Sequence, residues 1–205
     1  GFVVLLNEFD NQPNNKTTKR QNHQTTKPPN DKTQMIHNPK IECMDRDAMR
    51  KLQSKRLIET VKRCYENIPF YKHRMDDLGV KPEDIKSIDD IHKLPFTTKH
   101  DLRDEYPFGL QAVPHEQIRR IHASSGTTGK PVVFTYTEND LKHWSEGVAR
   151  CLAVADIGHG DTVQVSYGYG MFTGGMGLHD GIAARGAIQL PTSSGNTVKQ
   201  IMLMQ

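Results

Sequence analysis

The chain has 205 residues, 35% hydrophobic and 7% aromatic, with ten histidines and a formal net charge of +3. No apolar run is long enough to span a bilayer, and Cys43, Cys64 and Cys151 show neither C-x-x-C pairing nor metal-ligand spacing. These features set aside membrane-spanning, disulfide-framework and metal-site classes, and lead us to expect reduced, packed thiols in a cytoplasmic protein with no metal ligands of its own.

The charge is unevenly placed. Residues 1–40 hold six Lys/Arg against three Asp/Glu, whereas residues 41–205 hold 21 of each, so the excess lies entirely in the tail. Phe2 to Leu6 is a short apolar start, too brief for the core of a signal peptide. From Asn7 to Lys40 the chain is dominated by Asn, Gln, Thr, Lys and Pro, which cannot bury a core. Residues 1–40 are therefore expected to be a disordered tail or an upstream extension, with Met35 as the native start, and residues 41–205 a folded domain. No basic patch with interleaved aromatics indicates a nucleic-acid partner.

In chain order, Asp45 is expected to cap a helix. Met49, Leu52, Ile58, Val61 and Tyr65 would form its apolar face, with a break at Lys55 and Arg56. Short helices follow at Tyr71–Leu78, Ile88–His92 and Lys99–Glu105, separated by Pro82, Pro95 and Pro107. From Ile118 the pattern becomes strand, polar loop, strand, then a helix from Glu138 to Ala155 and a strand at Val163–Tyr167. A glycine-rich loop, a helix near Met176–Arg185, a strand at Ala187–Leu190 and a helix from Thr197 complete it. This alternation predicts an α/β fold with a helical start and a mainly parallel sheet covered by helices on both faces.

The polar loop is Ser124-Ser125-Gly126-Thr127-Thr128-Gly129-Lys130-Pro131. Its glycines let backbone N–H groups converge on an anion, its hydroxyls can donate, and Lys130 adds a cation. It is not a Walker A sequence, because two residues separate the glycines and Pro131 with a β-branched strand follows the lysine. A P-loop phosphotransferase is disfavoured on that ground, while a surface hairpin turn would account for the same composition. The second loop, Tyr167-Gly168-Tyr169-Gly170-Met171-Phe172-Thr173-Gly174-Gly175, sits at the carboxyl end of a predicted strand, where open α/β sheets bind ligands. Its rings are flat apolar faces suited to an aryl group or to core packing. His179 and Asp180 are neighbours on a predicted helix, point in different directions and are read as structural. His122 is read as a strand histidine and Trp144 as a packing residue. No G-x-S-x-G elbow is present, which argues against an α/β-hydrolase.

Taken with its flanks, the polar loop resembles the nucleotide-phosphate loop of the adenylate-forming enzymes, and specifically of the phenylacetate–coenzyme A ligase family. Further segments resemble that family in order and spacing: Tyr65-Glu66-Asn67-Ile68-Pro69-Phe70-Tyr71, Leu94-Pro95-Phe96-Thr97-Thr98-Lys99, Tyr106-Pro107-Phe108-Gly109, the Tyr167–Gly175 loop and Gly195-Asn196-Thr197. The resemblance runs from about Asp45 to Gln205. It implies the N-terminal part of the large adenylate-forming domain, and activation of an arylacetate by ATP and Mg²⁺ followed by transfer to coenzyme A.

By the same resemblance, Ser124, Ser125, Gly126, Thr127, Thr128, Gly129 and Lys130 would hold the nucleotide phosphates. Tyr167 and Phe172, with Tyr169 and Gly174, would line the arylacetate site. The Mg²⁺-binding glutamate and catalytic lysine of the family would lie beyond residue 205, so the chain reads as an N-terminal fragment that ends inside an amphipathic helix. Alternatives are a related adenylyltransferase such as a coenzyme F390 synthetase, or a non-catalytic fragment. A homodimer stays open.

Overall fold

A computed structural model describes residues 2–6 (backbone), 35–124 and 130–204. Among the described residues there are five strands, β1 (Phe2–Leu6), β2 (Ile118–Ala123), β3 (Val133–Thr137), β4 (Thr162–Ser166) and β5 (Ile188–Leu190). Seven α-helices accompany them: α1 (Pro39–Glu42), α2 (Arg46–Asn67), α3 (Pro69–Asp77), α4 (Lys99–Asp104), α5 (Glu138–Val154), α6 (Thr173–Arg185) and α7 (Thr197–Met202). The chain divides into two compact units, one of Asn38–Lys142 and one of His143–Gln205 together with the N-terminal segment, and the division falls within α5.

In the first unit, Asp45 caps α2 by accepting from Asp47 N at 2.9 Å and Ala48 N at 3.3 Å. Of the expected apolar face, Ile58, Val61 and Tyr65 join the core, where Val61, Met75 and Ile85 are buried with Leu57, Ile58, Tyr65, Val80 and Leu94 against them, while Met49 and Leu52 are half-buried outside it. Lys55 and Arg56 face solvent, and Lys55 pairs with Glu59 one turn on. Ser54 Oγ donates to Arg50 O and accepts from Ile88 N, while Arg50 Nη2 grips both oxygens of Asp89 at 2.6 and 2.7 Å, so α2 holds the 3₁₀ turn Ile88–Lys93.

Two segments picked out by the resemblance hold each other. Arg74, stacked 5.0 Å from the Phe70 ring, donates to Asp101 Oδ1 at 2.6 Å, and Tyr71 Oη lies 3.1 Å from Thr97 Oγ1. Asp101 also accepts from Thr98 N and Thr98 Oγ1, both at 2.7 Å, and its own N–H returns to Thr98 Oγ1, forming a reciprocal cap at the start of α4. The same Ser/Thr-x-x-Asp arrangement starts the 88–93 turn at Ser87 and α5 at Thr137.

β2 and β3 form an antiparallel pair with a bulge between Ile118 and Arg120. Their short connection leaves no room for the crossover a parallel pair requires, so the parallel part of the fold is the three-stranded sheet β1-β4-β5. β4 is central. Val163, Gln164 and Val165 are completely buried, as a strand covered on both faces must be. Leu152, Ile157, Val163, Val165 and Ile182 form this unit's core, each contributing about 1.5–3 kcal/mol on full burial. β1 and α1 have no counterpart among the sequence-based elements.

The other departure is at α6, which begins at Thr173, three residues before its expected start, so Gly174 and Gly175 lie in its first turn. Glycine in a helix costs about 1 kcal/mol, and contact explains it here. A Cβ at Gly177 would overlap the Trp144 ring, and one at Gly181 would overlap Val148. The helix ends at Gly186, whose φ of 76° suits a residue without a side chain.

Gly181→Ala should therefore destabilise the chain in urea by about 1–3 kcal/mol through overpacking, partly recovered by adding Val148→Ala. Gly147→Ala, whose added methyl meets nothing within 4 Å, should stabilise it by up to about 1 kcal/mol. Hydrogen bonds from Thr98 N–H and Oγ, and then Arg74, hold the Asp101 carboxyl below its ordinary pKa. Lys93, with the Lys86 and Ser87 amides, holds Asp90 down to about 2. A depressed carboxylate pKa adds stability that is complete above the unfolded value of about 3.9 and disappears as the pH falls through the folded one. The melting temperature should thus drop below about pH 4, and Asp101→Asn, lower at pH 7, should converge with the wild type in acid. Curves that stayed parallel down to pH 2 would contradict this role for Asp101.

Candidate functional site

The polar loop joins β2 to β3. At its base Ser124 and Val132 face each other: Ser124 N donates to Val132 O, and Val132 N donates to Ser124 Oγ, both at 2.9 Å. The Ser124 hydroxyl oxygen thus closes the loop and still has its proton to donate to another acceptor. Ser125, Gly126, Thr127, Thr128 and Gly129 lie outside the described residues. Lys130 is exposed, with Nζ 5.8 Å from the centroid of the Tyr106 ring. An ammonium over an aromatic face is held without being neutralised, so it remains a usable cation at the loop's end. His122 is buried and meets Tyr136 edge-on, centroids 5.7 Å apart at 79°, as expected of a packed strand histidine.

The aromatic loop, residues 167–172, lies in the other unit, between β4 and α6. Tyr167 and Tyr169 pack on the Leu152–Ile182 core, whereas Phe172, at the N-cap of α6, is 48% exposed and Met171 is 63% exposed. The loop is pressed against the start of α6. A Cβ at Gly174 would stand 2.6 Å from Tyr167 Cε1, and one at Gly175 would stand 2.6 Å from Gly168 O. Gly174 therefore acts as the seat of the Tyr167 ring. Tyr169 Oη lies 3.4 Å from His179 Nδ1, with the two rings nearly perpendicular at 82°. Burial raises the Tyr169 phenol pKa, keeping it a neutral hydroxyl at neutral pH. Thus Tyr167, Tyr169 and Gly174 come together, with Phe172 beside them at the helix entrance.

Sequence reasoning gave no role to Tyr106, which stacks under Lys130, and treated His179 only as structural. The signal for the α6 seat was present. Gly174, Gly177 and Gly181 recur at spacings of three and four, one face of a helix, but the Gly-Gly pair reads as loop when taken alone. The Gly195-Asn196-Thr197 segment proves to be a cap. Asn196, at φ 49°, accepts from Lys199 N at 3.3 Å to start α7, and Gln200 Nε2 donates back to Ser193 O at 3.0 Å and to Gly195 O at 2.6 Å. Among the described residues, no group of three or more His, Cys, Asp or Glu could hold a metal ion, and no helix is long and apolar enough to cross a membrane.

No family model matches the chain. Curated relatives do. It is 50% identical over 171 residues to the phenylacetate–coenzyme A ligase of Thermus thermophilus, covering 83% of this chain and 38% of the relative. It is 49% identical over 174 residues to the Escherichia coli phenylacetate–coenzyme A ligase, covering 83% and 40%. The chain thus spans about two fifths of the length of the relatives it matches. Among solved structures it resembles 2-hydroxyisobutyryl-CoA ligase in the postadenylation state, with a TM-score of 0.73 and 26% identity over 90% of this chain and 39% of that one. The same ligase bound to 2-HIB-AMP and CoA in the thioesterification state matches at a TM-score of 0.71 and 25% identity, over 91% and 40%. The chain is therefore a homologue of the phenylacetate–coenzyme A ligases and carries part of the adenylate-forming CoA ligase fold.

Proposed function

We propose that this chain forms the phosphate-holding and aryl-binding part of an ATP-dependent arylacetate–coenzyme A ligase, with phenylacetate as substrate. The observation that carries this reading is the half-identity with phenylacetate–coenzyme A ligases over four fifths of the chain. A carboxylate oxygen of the acid attacks the α-phosphorus of ATP and pyrophosphate leaves. The thiolate of coenzyme A then attacks the acyl carbon, and AMP leaves as the thioester forms. Residues 41–205 are the ligase portion in this reading, and β1 (Phe2–Leu6), which precedes it, adds a strand to its sheet by pairing with β4. A cytoplasmic setting and a homodimer belong to the same proposal, the latter to be checked by sedimentation.

Within the reading, the 124–130 loop grips the β- and γ-phosphates while charge builds on the leaving pyrophosphate. Lys130 supplies a cation from its place over Tyr106, and residues 125–129 supply amide and hydroxyl donors. The Ser124–Val132 pairing supports this role because it holds the loop's two ends at a set spacing. Mg²⁺ would offset phosphate charge when bound. Since no described side-chain cluster fits it, none of the steps assigned to this chain runs through it. Tyr167 and Phe172 offer ring faces to the aryl group, and Gly174 makes room for Tyr167.

The direct test is phenylacetate-dependent ATP–pyrophosphate exchange by the protein that carries this chain, with indoleacetate and acetate as competitors. Exchange with phenylacetate and not acetate is expected, and exchange with no acid would overturn the reading. Lys130→Ala should weaken ATP binding about tenfold, the scale of one lost charge-assisted contact, and leave phenylacetate affinity unchanged in calorimetry. Gly174→Ala should do the reverse, because its methyl displaces the Tyr167 ring.

A further inference from the structure

Three residues of the aromatic loop each meet α6, but the contacts differ in kind. Tyr167 over Gly174 and Gly168 O over Gly175 are close approaches that the absence of a Cβ permits. They remove an obstacle and impose no direction. The Tyr169 hydroxyl on His179 Nδ1, at 3.4 Å, is directional, and the perpendicular rings 5.9 Å apart add an edge-to-face contact.

His179 is itself braced, since Gln189 Nε2 from β5 donates to the His179 carbonyl. The imidazole thus stands on a backbone tied to the sheet, while the Tyr169 ring packs on the core beneath β4. Either tautomer of His179 can make this bond: Tyr169 Oη donates when the imidazole proton is on Nε2 and accepts when it is on Nδ1. A loop rich in glycine needs such a tie, because Gly168 and Gly170 on either side of Tyr169 leave its backbone more conformational freedom than other residues would.

We propose that His179 is a positioning residue for the aryl site: through the hydrogen bond between its Nδ1 and the Tyr169 hydroxyl it locks the 167–172 turn, keeping Tyr167 on Gly174 and Phe172 at the entrance of α6. This rests on reading Tyr167 and Phe172 as aryl contacts. His179 touches no substrate in this arrangement and acts through Tyr169 alone.

The experiment compares the protein that carries this chain with its H179L, H179N, Y169F and H179L/Y169F variants, measuring phenylacetate and ATP dissociation constants by calorimetry and melting temperature alongside. H179L and Y169F should each weaken phenylacetate binding about tenfold, the loss of one oriented contact, with ATP binding unchanged. The double variant should be no worse than either single one, because both remove the same bond. H179N should recover most of the affinity, its Oδ1 standing near the place of Nδ1. Equal losses for both ligands with a lowered melting temperature, or no loss in either single variant, would overturn the proposal. Should H179L fail to fold, Y169F and H179N carry the same comparison. If the unsubstituted protein that carries this chain bound no arylacetate, the functional reading would fail separately. The positioning would then be decided on the ligand-free chain from nuclear Overhauser contacts between the Tyr167 ring and Gly174 Hα. Their loss in Y169F, with retention in H179N, supports the tie, and their persistence in Y169F refutes it.

Discussion

The absence of side chains along one face of α6 is the constraint on which the second unit depends. Gly174, Gly175, Gly177 and Gly181 let the Tyr167 ring, the Gly168 carbonyl, the Trp144 ring and Val148 come closer than any Cβ would allow. A helix carrying this much glycine is intrinsically poor, so its stability must come from what packs on it. The seating of Trp144 and Val148 of α5 on its glycines, and of the β4–α6 loop against the helix start, is that source. The same contact presents two tyrosines and a phenylalanine at the carboxyl end of a fully buried strand, where α/β sheets place their ligands.

The first unit is held differently. Its small apolar cluster of Val61, Met75 and Ile85 is supplemented by carboxylates that tie elements together. Asp101 joins α3 to the start of α4, Asp89 joins α2 to the 3₁₀ turn, and Asp76 accepts from both Tyr65 and Lys81. Lys72 and Lys81 lie 5.9 and 5.4 Å from the Tyr65 ring, so that aromatic is bracketed by cations. Lys81 first, and Tyr65 after it, hold the Asp76 carboxyl below its ordinary pKa. Polar pairing of this kind gives direction where the apolar area is limited, at the cost of sensitivity to acid.

Most elements from Asp45 onward were legible because their cues are local. Asp45 is a cap, Val133 to Tyr136 is β-branched and aromatic, and α5 has a clear apolar stripe ending in Leu152 and Ala153. The expected starts at Lys99 and Glu138 hold to the residue, each directly behind a Thr-x-x-Asp box, Thr98 to Asp101 and Thr137 to Asp140. What sequence could not supply was contact between distant residues. The first turn of α6 looks like loop until the Tyr167 ring is seen lying on Gly174, and Lys130 has no stated neighbour until Tyr106 is found beneath it, 24 positions earlier in the chain. β1 escaped notice because five apolar residues carry no information about which strand they will join.

The Ser124–Val132 pairing has a consequence for how this protein can change over evolutionary time. Two reciprocal hydrogen bonds fix where β2 and β3 part, so the register of the hairpin is specified at the loop's base and in the strands, and not by the residues between. The entropy of closing that segment grows only slowly with its length. Lengthening, shortening or rewriting the segment would therefore cost the fold little, and ligand chemistry becomes the main pressure on its composition. The hairpin is a socket into which different anion-binding sequences could be exchanged while the scaffold around it stays the same.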